Sequence, residues 1–423
     1  QLAEIYLVAH RWQDCVDACL MALRADPANA DLLSILAQAY HAMGQADKAI
    51  DTLKDAVKAR PTALDAYRRL APLLLLKEAA GATTGQNIGV PNMSAQQAAA
   101  AIPKVRDVMM AIPSARSEMV EFALAEMYQT ARLYQQAADS YARLAQSNTV
   151  GQAMKFQSRL KLANALAKAG NPDQAIAVLD GLVKASSGRD LDLALMAKAD
   201  LLTPLKRTAE ADEVLEKLRA LAVERKDIDS LAKAAAAYGR LGQIDRAQAA
   251  CQDMRNLLPN DTRSYLEEAA VLSAAGQTDK LPPLYAKAIE LQPNNFALHD
   301  RLTRVLDELN QPRQALQAVR KPQAMGKAGL THGLLNEGVL LANWGLRAQA
   351  AAALDRLEKA GADLTPDQQL AMAYCLKQIG RTDQARKALR QISAHAKQYV
   401  GAQLMLADLA DDPNKQSIIK PLH

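Results

Sequence analysis

Pro27 and Pro61 stand 34 residues apart, and so do Pro259 and Pro293. The small residue that opens each second amphipathic segment keeps nearly the same step. It is Cys15, Ala49, Ala101, Ala137, Ala175, Ala211, Ala247, Leu281, Ala315, Ala350 and Ala385, at gaps of 34, 52, 36, 38, 36, 36, 34, 34, 35 and 35 residues. A fixed period of this size marks a repeat array, in which each unit contacts its neighbours and the chain grows in one dimension. The 423 residues therefore need not divide into domains as a globular chain of that length would.

The stretch from Ala30 to Pro61 shows the unit in its plainest form, as two short amphipathic helices and a tight turn. A small residue ends the first-helix core (Ala37, Ala125, Ala163, Ala235, Ala269, Ala373), and the Ala opening the second lets the two backbones approach closely. Four residues on comes a larger apolar side chain (Leu53, Tyr141, Leu179, Leu215, Leu354, Leu389). Three later comes another (Ala56, Leu144, Leu182, Leu218, Met254, Leu357, Ile392). Positions i, i+4 and i+7 form one helical stripe. A lone pair cannot bury both its faces, so pairs must stack.

The turns carry the same period. Gly44, Gly170, Gly242, Gly276, Gly345 and Gly380 sit where a first helix must end in a left-handed conformation. Asp47, Asp173, Asp245, Asp279 and Asp383 follow three residues later, where an acidic residue caps or favours the next helix N-terminus. Pro61, Pro259 and Pro293 stop second helices.

The segment Leu33, Leu36, Ala37, Tyr40, Gly44, Ala49, Leu53, Ala56, Pro61 resembles the tetratricopeptide repeat in spacing and residue type, and Leu231, Ala235, Tyr238, Gly242, Ala247, Cys251, Pro259 match nearly as well. The first-helix Trp of that family is absent; Leu33, Leu231, Tyr265 or Leu334 fills its slot. The resemblance implies an all-α, right-handed superhelical solenoid of about eleven helix-turn-helix units over residues 1–393. A C-terminal capping helix is expected over 394–410 and a tail over 411–423.

Departures from the pattern are expected at four places. Gln1 is not a natural start and falls about five residues into the first helix, so further chain upstream is expected, and the first unit is truncated. In the third unit a first helix containing Pro72 fades near Ala80 into an uncharged, glycine-rich insertion loop, 81–93, before a Ser94/Gln97 capping box. The unit gap there carries 18 residues more than 34. Pro282-Pro283 should delay or distort one second helix, and Pro322, Gly326 and Gly329 should shorten and loosen that of the ninth unit.

Apolar residues make half the chain but aromatics only 4%, a mixture rich in Ala and Leu that suits closely packed helices. The scattered net charge of +5, with no interleaved aromatics, gives nucleic acid no groove. No apolar run reaches the ~18 residues that a membrane span requires. Cys15 and Cys19 at i,i+4 on a helix lie too far apart to bridge, and no His or Cys cluster completes a zinc site. All four thiols read as small buried apolar residues, and unpaired they favour a reducing, cytoplasmic setting. No zinc-protease, nucleophile-elbow, phosphate-loop or dinucleotide pattern occurs, and an open solenoid rarely closes a pocket, so no catalytic residue, metal or cofactor is expected.

The resemblance implies that first helices line an inner groove where partner protein or peptide segments lie. By position that lining comprises Ser34, Gln38, His41, Gln129, Lys161, Asn164, Lys168, Asp200, Arg240, Asp300, Arg304, Asp307, Asn336, Asn343 and Tyr374. Lys161 and Asn164 offer only fragments, out of frame, of the set with which the family's chaperone-binding members grip a peptide carboxylate. Asp300, Arg304 and Asp307, at i,i+4 and i,i+3, are expected to satisfy one another. The function expected is a non-catalytic scaffold that supports assembly of a multiprotein complex. The periplasmic arm of an envelope or exopolysaccharide secretion machine, the regulatory repeats of a larger enzyme, and self-association through a terminal repeat face are the alternatives.

Overall fold

The computed structural model describes residues 2–80, 93–392 and 399–409. All regular structure among them is helical. Two compact units divide the chain, Gln1–Leu215 and Glu216–His423. The first holds α1 (Leu2–Val8), α2 (Trp12–Leu23), α3 (Ala30–Ala42), α4 (Ala46–Ala59), α5 (Leu64–Ala80), α6 (Ala95–Met110), α7 (Ser117–Thr130), α8 (Tyr134–Gln146), α9 (Gln152–Lys168), α10 (Pro172–Ala185) and α11 (Gly188–Leu202). Helix α12 (Thr208–Arg225) begins in the first unit and ends in the second. The second continues with α13 (Ile228–Arg240), α14 (Ile244–Leu257), α15 (Arg263–Ala274), α16 (Leu281–Leu291), α17 (Phe296–Glu308), α18 (Pro312–Arg320), α19 (Gly326–Asn343), α20 (Arg347–Lys359), α21 (Pro366–Gln378), α22 (Thr382–Arg390) and α23 (Tyr399–Leu409). Odd helices up to α21 open the pairs and even ones close them.

The pair α3–α4 shows why the array holds. Asn29 caps α3 by accepting from the Leu32 amide at 3.1 Å. Gly44 takes a φ of +74°, and the Gln45 amide then donates to the Tyr40 carbonyl at 2.9 Å, closing the turn. Ala37 and Ala49 are buried where the helices cross, and the stripe of Ala49, Leu53 and Ala56 is shut away from solvent. The same left-handed turn recurs at Gly170, Gly242, Gly276, Gly345 and Gly380, and also where there is no glycine, at His10, Arg132, Lys206 and Asn310. Asp47 and Asp173 stand in the first helical turn without capping it, since Gln45 and Asn171 hold the cap positions. They favour the helix N-terminus by charge alone, and each reaches a cation further along, Lys77 and Arg207.

Two expectations change and one holds. In α6 the buried small residue is Ala98, followed by buried Ile102 and Val105, whereas Ala101 is only partly covered. Ser94 caps α6 and fixes its start at Ala95, which puts Ala98 in the position that Ala49 holds in α4. Pro282-Pro283 do delay their helix: a 3₁₀ turn over Thr278–Lys280 precedes α16, and both prolines lie in its first turn, where no amide partner is lost. The ninth unit is shortened but not loosened. Helix α18 passes into a 3₁₀ turn, Lys321–Ala324, against which α19 packs closely. A Cβ on Gly329 would strike the Pro322 carbonyl and come within 2.9 Å of Met325 Cβ.

Of the insertion loop 81–93, all but residue 93 lies outside the described residues, as do residues 393–398 and the tail. Helix α23 starts at Tyr399 and packs on α22, where Arg386 donates to the Leu409 carbonyl at 2.5 Å and Ala402 is fully buried.

Candidate partner-binding face

In the first unit the opening helices α5, α7 and α9 bring polar side chains together across repeats. Glu126 of α7 accepts a two-pronged pair from Arg68 of α5, at 2.7 and 2.9 Å, and lies 3.4 Å from the Lys161 ammonium of α9. One turn away the Gln129 amide donates to Asn164 Oδ1 at 2.9 Å, and the Tyr141 hydroxyl donates to Gln129 Oε1 at 3.3 Å. Tyr141 is wholly buried, and burial pushes its phenol well above the ordinary tyrosine range, so it stays a neutral donor. Lys168, at the end of α9, lies 5.8 Å from the centre of the Tyr134 ring. Arg68, Glu126, Gln129, Lys161 and Lys168 all line one cavity of about 530 Å³.

The second unit also centres on carboxylates, with an imidazole, an amide and an indole as donors in place of Arg and Lys. Asp300 of α17 takes His332 Nε2 at 2.8 Å and the Asn336 amide at 2.8 Å, both from α19, while Phe296 stacks on the His332 ring at 5.0 Å. Asp307 accepts from the Trp344 indole at 2.7 Å. The expected mutual pairing of Asp300, Arg304 and Asp307 is therefore wrong. Donors on the next opening helix reach the two carboxylates better than the flexible Arg304 beside them on its own helix. Arg304 is exposed, with no hydrogen-bond or ion-pair partner among the described residues.

The remaining predicted residues do not gather. Ser34 and Gln38 donate to backbone carbonyls of their own helix, Ala30 and Ser34. His41, Asp200, Arg240 and Asn343 are exposed, with Asp200 and Arg240 engaged in further interactions. Tyr374 is 43% exposed and its hydroxyl accepts from Gln378. Sequence reasoning missed Arg68, Glu126, His332 and Trp344. The signal was available for the first unit, since Gln129–Asn164 and Glu126–Lys161 share one 35-residue step.

All four cysteines are free and buried. Burial pushes Cys19 and Cys251 up to about 12 and Cys375 to about 11, so all three are held as thiols. Among the described residues no group of three or more His, Cys, Asp or Glu could hold a metal ion, and no helix is long and apolar enough to cross a membrane.

Helix pairs of constant period, crossing on alanines and turning on left-handed residues, make this a helical-repeat protein. Models of the tetratricopeptide repeat match residues 21–71, and residues 157–186 and 369–396. The chain is a tetratricopeptide-repeat protein, an all-α solenoid of a family that serves generally in protein interaction rather than catalysis. No curated protein sequence matches it.

Among solved structures it is similar to yeast Tom70, at 14% identity over 99% of this chain and 93% of that one, with a TM-score of 0.31. It is also similar to the Cut9–Hcn1 hetero-tetramer of the APC/C, at 12% identity over 100% and 91%, with a TM-score of 0.32. A tetratricopeptide repeat protein from Parabacteroides merdae matches at 12% identity over 69% of this chain and 98% of that one, again with 0.32. Similarity at that level carries no weight for partners.

Proposed function

We propose that the chain is a non-catalytic scaffold that binds segments of partner proteins along the face of its opening helices and so supports assembly of a multiprotein complex. The observation that carries this reading is the bonding of polar side chains from one opening helix to the next. Arg68 and Lys161 meet on Glu126, Gln129 meets Asn164, and His332 and Asn336 meet on Asp300. Side chains already held in place lose little entropy when a partner arrives, so many modest contacts add up.

Site-specific photocrosslinking in the native host tests it. A crosslinker at Gln38, Arg304 or Tyr374 should capture discrete partner bands, and one at Lys58 on closing helix α4 should not. Equal capture from both faces, or from neither, would overturn the groove reading.

A further inference from the structure

The opening helices α9 and α11 are not packed flush. Between them and α10 lies a cavity of about 700 Å³, within the size range of ligand-binding clefts. Its walls are apolar: Ala163, Leu179, Ala197 and Leu201 line it, and Leu205, 37% exposed, stands at its edge. The space exists because α9 and α11 present alanines where larger side chains would have met. It also exists because α11 ends at Leu202, and the turn through Pro204 and the left-handed Lys206 carries the chain away.

Polar groups stand at both ends. Asn164 spends its carbonyl oxygen on Gln129, which leaves its two N–H donors for a guest, and Lys168 borders this cavity and the polar one alike. Toward α7 the polar cavity sets three cations, Arg68, Lys161 and Lys168, against the single carboxylate Glu126. Asp200 stands on the α11 side of the apolar cavity. The site is thus apolar in the middle and cationic at one end.

We infer that this cavity seats a large apolar side chain of an extended partner segment, with an acidic residue of that segment lying next to it over Lys168. This rests on the protein-binding reading above. A basic guest at the cationic end would meet uncompensated like charge, so charge sets the composition of the segment. Asn164 adds a donor for a backbone carbonyl of the guest.

The test is selection of random displayed nonapeptides on the immobilised full chain, followed by binding of the selected peptides to two variants. Ala167→Trp fills the cavity from a half-buried position, and Lys168→Glu reverses its exposed cation. Unchanged melting curves establish that both variants fold. The expected result is a consensus of one large apolar residue beside one or two acidic ones, with affinity falling at least about tenfold in each variant and weakening as salt is raised.

Peptides that bind both variants as well as the parent, but are lost on Arg304→Glu, would overturn this inference and leave the scaffold reading standing. A basic or wholly polar consensus would overturn it too. Selection of nothing above background would remove both.

Discussion

The pair α3–α4, inside one repeat, and the junction between α18 and α19, where one repeat meets the next, are held by different physics. In α3–α4 the contact is made by shape, with buried alanines at the crossing, a glycine free to turn left, and no buried charge. At the junction two bare glycines, Gly329 and Gly333, let α19 slide against a 3₁₀ turn. A carboxylate is buried there as well. Glu337, 2% exposed, accepts from Arg320 and from the Gln323 amide at 2.6 Å each, and Arg356 lies 3.9 Å away. The regular pair repeats because alanine and glycine suffice for it. The junction departs from the period, and there a polar clamp of side chains ties the end of α18 and its 3₁₀ turn to α19.

Five substitutions and one titration test that contrast. The largest effect should come from Gly329→Val, whose side chain has only the Pro322 carbonyl to occupy; a loss of about 3 kcal/mol in denaturant unfolding is expected. Glu337→Ala should cost about 2–3 kcal/mol, below the range for a fully buried pair because Arg320 is half-exposed and can rehydrate. In the regular pair, Ala49→Leu should overpack the crossing by about 1–3 kcal/mol, and an unchanged melting curve would contradict the packing register. Gly44→Ala should cost only about 1 kcal/mol, since the added Cβ meets nothing within 4 Å and the loss is backbone strain alone. Arg132→Gly, relieving the same strain at a φ of +62°, should change stability in the opposite direction.

The smallest effect is a pH response at α17. His299 is buried, its Nε2 sits 2.9 Å from the Pro293 carbonyl, and its Nδ1 has no partner. Burial holds its folded pKa below the ordinary histidine value. The unfolded chain then binds the proton first as pH falls through about 6.5, so stability present above that value is lost below it. His299→Leu, the residue that equivalent first-helix positions carry at Leu33 and Leu231, should flatten melting temperature between neutral and mildly acid pH. A wild-type curve already flat there would remove the prediction.

Most of the fold was legible because its determinants are local. A glycine that must turn left and an alanine that must let backbones touch leave their spacing in the sequence, and both were found in place. Where several residues could do the same job the register was lost. Residues 98–101 are all alanine, so nothing but the Ser94 cap tells which one faces inward. Left-handed turns at Arg132 and Lys206 carry no residue signal at all. Glycines in α19 looked like flexibility when they are close contacts. The candidate site was harder still, because its bonds join helices 32–37 residues apart while a single-helix reading of Asp300, Arg304 and Asp307 sees only neighbours at three and four.

The ion pair between Arg68 and Glu126 has a consequence for how the chain comes to life. It joins residues 58 apart across the insertion, whereas Gln129–Asn164 joins residues 35 apart and Asp300–His332 only 32. A chain that emerges from the ribosome end-first can settle most pairs as soon as the next one follows, since little more than one repeat must be exposed at a time. At α5 it must wait. The apolar face of that helix is covered by α4, α6 and α7 together and is not closed until the last of these has been made, and the added length raises the entropy of closing the gap. That interval is where a nascent chain of this kind would most need a chaperone's shelter, and where a slow stretch of codons downstream of α7 would do it most good.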